Sequence, residues 1–309
     1  MTGAANARQP LLLAAMPWVF VAIWSTGFVV ARLAMPHAPP LGFLAWRYAG
    51  SLLAFGMWIA IARAPWPQGR AQWGHLAVSG VLMHAGYLGG VWAAVKQGMP
   101  AGTTALIVGL QPLFTALWVS SSASRGSSAG QSATGGAVTG LQWAGLLLGL
   151  AGLVTVVWPK LSLGEVTGPN LGLALLALAS ITTGTLYQKQ HVLPADVRSG
   201  NFVQLAAALA VTAPLAWLEP GRLQWHPDLA IAIAWSVLVL TLGGSSLLMA
   251  LIQRGAATRV TSLLYLVPPC TAVLAWWLFG ERMAASGWVG MALCAVGVGL
   301  VLRQPTRAA

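Results

Sequence analysis

The chain has 309 residues, 57% of them hydrophobic and 7% charged, with a mean hydropathy of +0.75 and a formal net charge of +11. Soluble domains carry about 25% charged residues, so the composition excludes a soluble globular class and describes a polytopic membrane protein in contact with lipid. The basic residues are scattered singly between apolar runs, which excludes a nucleic-acid-binding patch and fits topology determinants.

Roughly 20 residues cross the hydrocarbon of a bilayer, and on that measure the chain predicts ten spans. They lie at 12–34, 41–62, 72–95, 100–120, 139–157, 170–189, 199–218, 228–252, 258–279 and 285–302, between an N-terminal tail (1–11) and a C-terminal tail (303–309). The first span has Arg8 ahead of it, as a signal peptide would, but it is too long for one and is expected to be retained. Residues 120–138, beginning Ser120-Ser121-Ser122, form a Ser/Gly/Ala stretch without apolar surface to pack, hence a flexible loop with no chemistry.

Lys and Arg in alternate loops number ten on the side of the N-terminus and five on the other, which places both termini in the cytoplasm. Arg47, inside span two, stands outside this count, and the other arginines are expected at span ends, where they snorkel to water. Trp66, Trp73, Trp158 and Trp225 fall near span ends, as an interfacial belt would place them. Cys270 and Cys294 both lie in apolar segments and read as packing residues, with neither a disulfide nor a metal site.

A shift of 157 residues lays the first four spans on spans six to nine. Thr26-Gly27 falls on Thr183-Gly184, Arg32 on Lys189, Gly86 on Gly243, Gly98 on Gly255, Thr104 on Thr261 and Pro112 on Pro269. Beyond the Ser/Gly loop the shift is 145, which sets Trp143 on Trp288, Gly145 on Gly290 and Gly152 on Gly297. Five spans per half is odd, so the second copy enters the membrane upside down relative to the first, as in inverted-repeat transporters.

With two five-span halves, Trp24-Ser25-Thr26-Gly27-Phe28 in the first span, and Pro269 followed by Gly280-Glu281-Arg282, the chain resembles the EamA family of the drug/metabolite transporter (DMT) superfamily. The resemblance covers nearly the whole chain. His84-x-x-Tyr87 and the many aromatics look most like its aromatic-amino-acid exporter branch, of the YddG type. The first half departs from the pattern in having no Gly-Glu pair after Trp118. The resemblance implies an all-α integral membrane protein of ten transmembrane helices, two inverted five-helix repeats at 12–157 and 170–302, multi-pass in the inner (plasma) membrane. Taken with the polar residues below, it implies a central cavity lined by spans one, three, four, six, eight and nine. Spans five and ten, almost free of polar side chains, would be scaffold or dimer contacts, in a monomer or homodimer.

The residues that stand out inside spans are the candidate site. His84, Tyr87 and Val91 share one helix face, and an ionisable imidazole at membrane depth faces protein or a watered cavity. Tyr87 and Trp92 offer flat faces to apolar cargo, with interface anchoring the alternative for Trp92. Gln111, beside Pro112, can both donate and accept. Pro112 and Pro269, at equivalent repeat positions, read as paired hinges, with a packing kink as the plainer alternative. Thr183 and Tyr187 share a face of span six, Ser245 and Tyr265 extend the polar set, and Trp24 with Ser25 are the counterpart in span one.

None of the five carboxylates, Glu165, Asp196, Glu219, Asp228 and Glu281, falls in the interior of a span, Asp228 being the first residue of span eight. No phosphate-cradling loop, HExxH, CxxC or GxSxG occurs, so neither an ATP-driven pump nor an enzyme is expected, and no cofactor. The expected function is export of small metabolites, neutral and aromatic amino acids foremost, by alternating access down the substrate gradient. Efflux of hydrophobic cations is the alternative, ahead of a membrane enzyme or a channel.

Overall fold

The computed structural model describes residues 3–111, 113–115, 118, 140–247, 266–281 and 284–302. The expected Ser/Gly loop at 120–138, Pro112, Tyr265 and the C-terminal tail lie outside the described residues. The described residues are helical throughout: α1 (Gly3–Ala34), α2 (Pro40–Ala62), α3 (Arg70–Lys96), α4 (Ala101–Val108), α5 (Gly140–Ser162), α6 (Gly168–His191), α7 (Val197–Leu218), α8 (Pro227–Leu247), α9 (Val267–Phe279) and α10 (Ala285–Leu302). Seven of these helices, α1 to α3 and α5 to α8, are long and apolar enough to cross a membrane, and α4, α9 and α10 are shorter apolar helices.

Local sequence explains where the helices begin and end. Pro40 opens α2 at a position where a missing N–H costs nothing, and Arg63 closes it in a left-handed conformation at φ 49°. At the start of α6, Thr167 and Asn170 satisfy each other's backbone N–H groups in a capping box. Asp196 caps α7 and His226 caps α8, each through a side-chain acceptor.

Two long helices are interrupted by a π-helical turn, α3 at Val81–Gly86 and α8 at Ser236–Gly243. The shift of 157 on which the expected repeat rests carries Gly86 onto Gly243. A π turn breaks the i−4 ladder and leaves backbone groups for other partners. The His84 carbonyl accepts from the Tyr48 hydroxyl at 2.8 Å, and Thr241 donates to the Ser236 carbonyl, five residues back, at 2.7 Å.

The helices pack α2 on α7, α3 on α6 and α7, α1 on α8 and α9, and α5 on α10. Glycine permits the closest of these approaches. A Cβ on Gly90 would lie 2.7 Å from the Leu173 carbonyl oxygen of α6, and one on Gly152 would lie 2.5 Å from the Gly290 carbonyl oxygen of α10. Phe43, Tyr48, Phe55, Trp92 and Leu229 are buried in the main core, while Trp158, Trp217 and Trp277 are exposed on the outside. An outer surface rich in Trp and Leu is what lipid contact requires.

Candidate functional site

A cavity of about 130 Å³ lies among α1, α2, α3, α6, α7 and α8. Its wall is Trp24, Gly27 and Phe28 from α1, Arg47 from α2, and Met83, His84, Tyr87, Leu88, Val91 and Trp92 from α3. Ile181, Asn201, and Leu240, Thr241 and Ser245 complete it from α6, α7 and α8. The π turn of α3 carries Met83 and His84, and that of α8 carries Leu240 and Thr241, so both interruptions of the helical ladder border the same space.

Trp92 is 1% exposed and stacks on Phe43 with ring centroids 4.1 Å apart, which makes it a fixed wall of the cavity and removes the interface-anchor alternative. Tyr48 fixes the carbonyl of His84 and meets its ring edge-on at 6.1 Å. On α7, Gln204 donates to Ser79 at 2.8 Å, beside the turn that carries His84.

Arg47 is the residue that sequence reasoning passed over. The expectation that the arginines other than the uncounted Arg47 sit at span ends left this one without a role, yet it enters the cavity wall from the middle of α2. Its Nη2 donates to Thr241 Oγ1 at 3.3 Å, and its buried Nε has no hydrogen-bond partner among the described residues. None of the chain's five carboxylates pairs with it. A guanidinium in an apolar cavity without a counter-charge is costly. Its position inside span two was the signal that would have found it.

The structure brings together Trp24, His84, Tyr87, Trp92 and Ser245 of the expected set. Ser25, Gln111, Thr183, Tyr187 and Pro269 lie elsewhere. Ser25 is fully buried, donates to the Val21 carbonyl and accepts from Thr271 at its own carbonyl. Gln111 donates to Thr185 at 2.9 Å. Thr183 is exposed and bonded back to Ala179 of its own helix. Tyr187 joins His75 at 2.8 Å and stacks on His191 at 4.5 Å, forming a separate cluster. Pro269 sits in the first turn of α9. Spans four and nine contribute no described residue to the cavity; spans two and seven do, through Arg47 and Asn201.

The carboxylates lie at helix ends. Glu219, which closes α7, accepts from the backbone N–H groups of Leu41 and Gly42 at 2.9 and 3.1 Å. Burial holds its carboxyl above the usual range against the pull of those bonds. Burial likewise raises Glu281, with Arg32 3.5 Å away opposing it. The Arg198 guanidinium hydrogen-bonded to Asp196 holds that carboxyl below its ordinary range. A second cavity of about 430 Å³, with Lys96, Glu219 and Arg222 on its wall, lies between the α1–α2 and α7–α8 connections.

The EamA-like transporter family matches residues 12–121 and 170–303 of the chain. The chain is 24% identical over 298 residues to "Uncharacterized inner membrane transporter YedA" of Escherichia coli (strain K12), covering 95% of this chain and 92% of that one. It is similar at 23% identity over 288 residues, 90% of each chain, to "Probable amino-acid metabolite efflux pump" of the same organism. A solved crystal structure superposes at a TM-score of 0.62 with 18% identity, covering 94% of this chain and 96% of that one.

Proposed function

The chain belongs to the EamA-like transporter family, and from that membership we propose that it exports small carboxylate-bearing metabolites, neutral and aromatic amino acids foremost, out of the cell across the inner membrane. The observation that carries this reading is Arg47, a permanent cation on the wall of an aromatic cavity with no carboxylate to pair it. A guanidinium presents a planar fork that matches a carboxylate in two parallel hydrogen bonds. Trp24, Phe28, Tyr87 and Trp92 give flat faces to an apolar side chain, and His84, Asn201 and Ser245 offer polar atoms to an amino group. At about 130 Å³ the cavity is below the roughly 300–1,000 Å³ of pockets that enclose drug-sized ligands, which favours small metabolites over bulky drugs. An aromatic cargo requires the cavity to widen. The similarity to a probable amino-acid metabolite efflux pump supports the same substrate class. Efflux of hydrophobic cations fits less well, because Arg47 repels them.

Transport proceeds by alternating access between two inverted halves, with both termini in the cytoplasm. The repeat reading is supported by the two π turns, which the same shift brings to overlapping positions: Val81–Gly86 of α3 and Ser236–Gly243 of α8. Pro112 and Pro269 remain the proposed hinges.

The test is counterflow in proteoliposomes with labelled phenylalanine, its amide, which lacks the carboxylate, and a lipophilic cation. Phenylalanine should exchange and the amide should not. A charged hydrogen-bonded pair contributes about 1.5–3 kcal/mol, so Arg47→Gln should weaken apparent affinity roughly 10- to 100-fold. Transport of the amide or the cation at the rate of phenylalanine, indifferent to Arg47→Gln, would refute the reading.

A further inference from the structure

Sequence reasoning expects no metal site, because both cysteines lie in apolar segments. The fold brings three potential ligand residues together outside the central cavity: His37 from the α1–α2 connection, and His226 and Asp228 from the start of α8. We propose that these three residues form a site for a divalent transition metal of the Zn²⁺ class, tying the connection of the first half to the start of α8 in the second.

Asp228 Oδ2 lies 3.3 Å from His226 Nδ1 and 3.7 Å from His37 Nε2, and the three ligand atoms all fall within 4.8 Å of one another. Zinc binds nitrogen at about 2.0–2.1 Å and carboxylate oxygen at about 2.0–2.2 Å, so tetrahedral geometry sets neighbouring ligand atoms roughly 3.3–3.5 Å apart. The observed spacings need adjustments of a few tenths of an ångström at the Asp228 edges. Two imidazoles and one carboxylate leave a fourth position open for water. That donor set suits Zn²⁺ or its neighbours in the first transition row, whereas Ca²⁺ and Mg²⁺ prefer an all-oxygen shell.

One feature preorganises the site and one must change on binding. The rings of His37 and His226 stack nearly parallel, at 7° and 4.2 Å between centroids, so one imidazole has to turn about its Cβ–Cγ bond to bring both in-plane lone pairs onto one ion. The backbone amide of Gln224 donates to the His37 carbonyl at 2.8 Å, so the connection bearing His37 is already fastened to the segment bearing His226. His226 Nδ1 accepts from the Asp228 amide at 3.2 Å, which leaves that nitrogen unprotonated; a metal replaces this long cap bond. His37 also lines the cavity of about 430 Å³, which gives a hydrated ion a route to the site.

Titration of the full-length, tag-free protein with ZnCl₂ in detergent should show one saturable site per chain by calorimetry and a rise in thermal midpoint with Zn²⁺. Co²⁺ in its place should give the visible absorption of a tetrahedral centre. His37→Ala, and His226→Asn, which keeps a good helix cap, should each weaken binding at least tenfold. His37→Cys should retain it, because thiolate is also a zinc ligand. His191→Ala, in the separate histidine cluster, should leave it unchanged. No saturable binding up to 100-fold molar excess, or binding that survives His37→Ala combined with His226→Asn, would reduce the trio to a hydrogen-bonded staple. None of these readouts depends on which substrate is carried.

Discussion

Tyr87 and Arg47 divide the work of the cavity between shape and charge. Tyr87 gives the wall a flat apolar face, whereas Arg47 supplies a fixed positive charge that no described residue neutralises. Tyr87→Ala should therefore impair counterflow of phenylalanine or tryptophan several-fold more than that of alanine, since the carboxylate contact to Arg47 is untouched. Equal losses for all three, accompanied by a lowered melting temperature, would make the ring a packing residue. Trp24, His84, Tyr87 and Trp92 were legible in the sequence because polar and aromatic groups are conspicuous in apolar runs. Thr183 and Tyr187 were misplaced because spacing tells which residues share a face, not which face turns inward. A threonine bonded to its own helix, as Thr183 is to Ala179, needs no cavity to satisfy it. His37, His226 and Asp228 were illegible because 189 positions of sequence separate His37 from His226.

At the scale of elements, helix approach is governed by where glycine stands, and α3 tests this in a single helix. A Cβ on Gly90 would meet the Leu173 carbonyl oxygen at 2.7 Å and Ala177 at 3.0 Å, so α3 and α6 would have to separate. Gly74, on the same helix, has nothing within 4 Å of a new Cβ. Gly90→Ala should cost about 1–3 kcal/mol through overpacking and lower the thermal midpoint in detergent. Gly74→Ala should leave it unchanged or raise it, since alanine stabilises a helix interior by about 0.5–1 kcal/mol over glycine. Equal behaviour of the two variants would mean that α6 yields freely. Helix positions were readable from length and apolarity: the expected span 41–62 is Pro40–Ala62 in the structure, and 72–95 is Arg70–Lys96. The π turns were not readable, because an extra residue in a helix changes neither composition nor period enough to show over one turn.

Over the whole molecule, the distribution of charge decides how transport is driven. All five carboxylates sit at helix ends, where Glu219 caps α2, Glu281 pairs with Arg32 and Asp196 is bonded to Arg198. None is placed to collect a proton from one side of the membrane and release it to the other. Arg47 cannot serve either, since a guanidinium stays protonated in proteins. His84 is the remaining group of the cavity of a residue type that ordinarily titrates near neutral pH. A second positive charge beside Arg47 in an apolar enclosure is costly, so the imidazole stays neutral through the cycle. The proposed export is therefore predicted to be facilitated: substrate counterflow should occur in liposomes with equal pH on both sides. An imposed pH difference alone should not concentrate a zwitterionic substrate. If it does, and His84→Gln abolishes that accumulation while sparing counterflow, His84 carries a proton and the cycle is coupled.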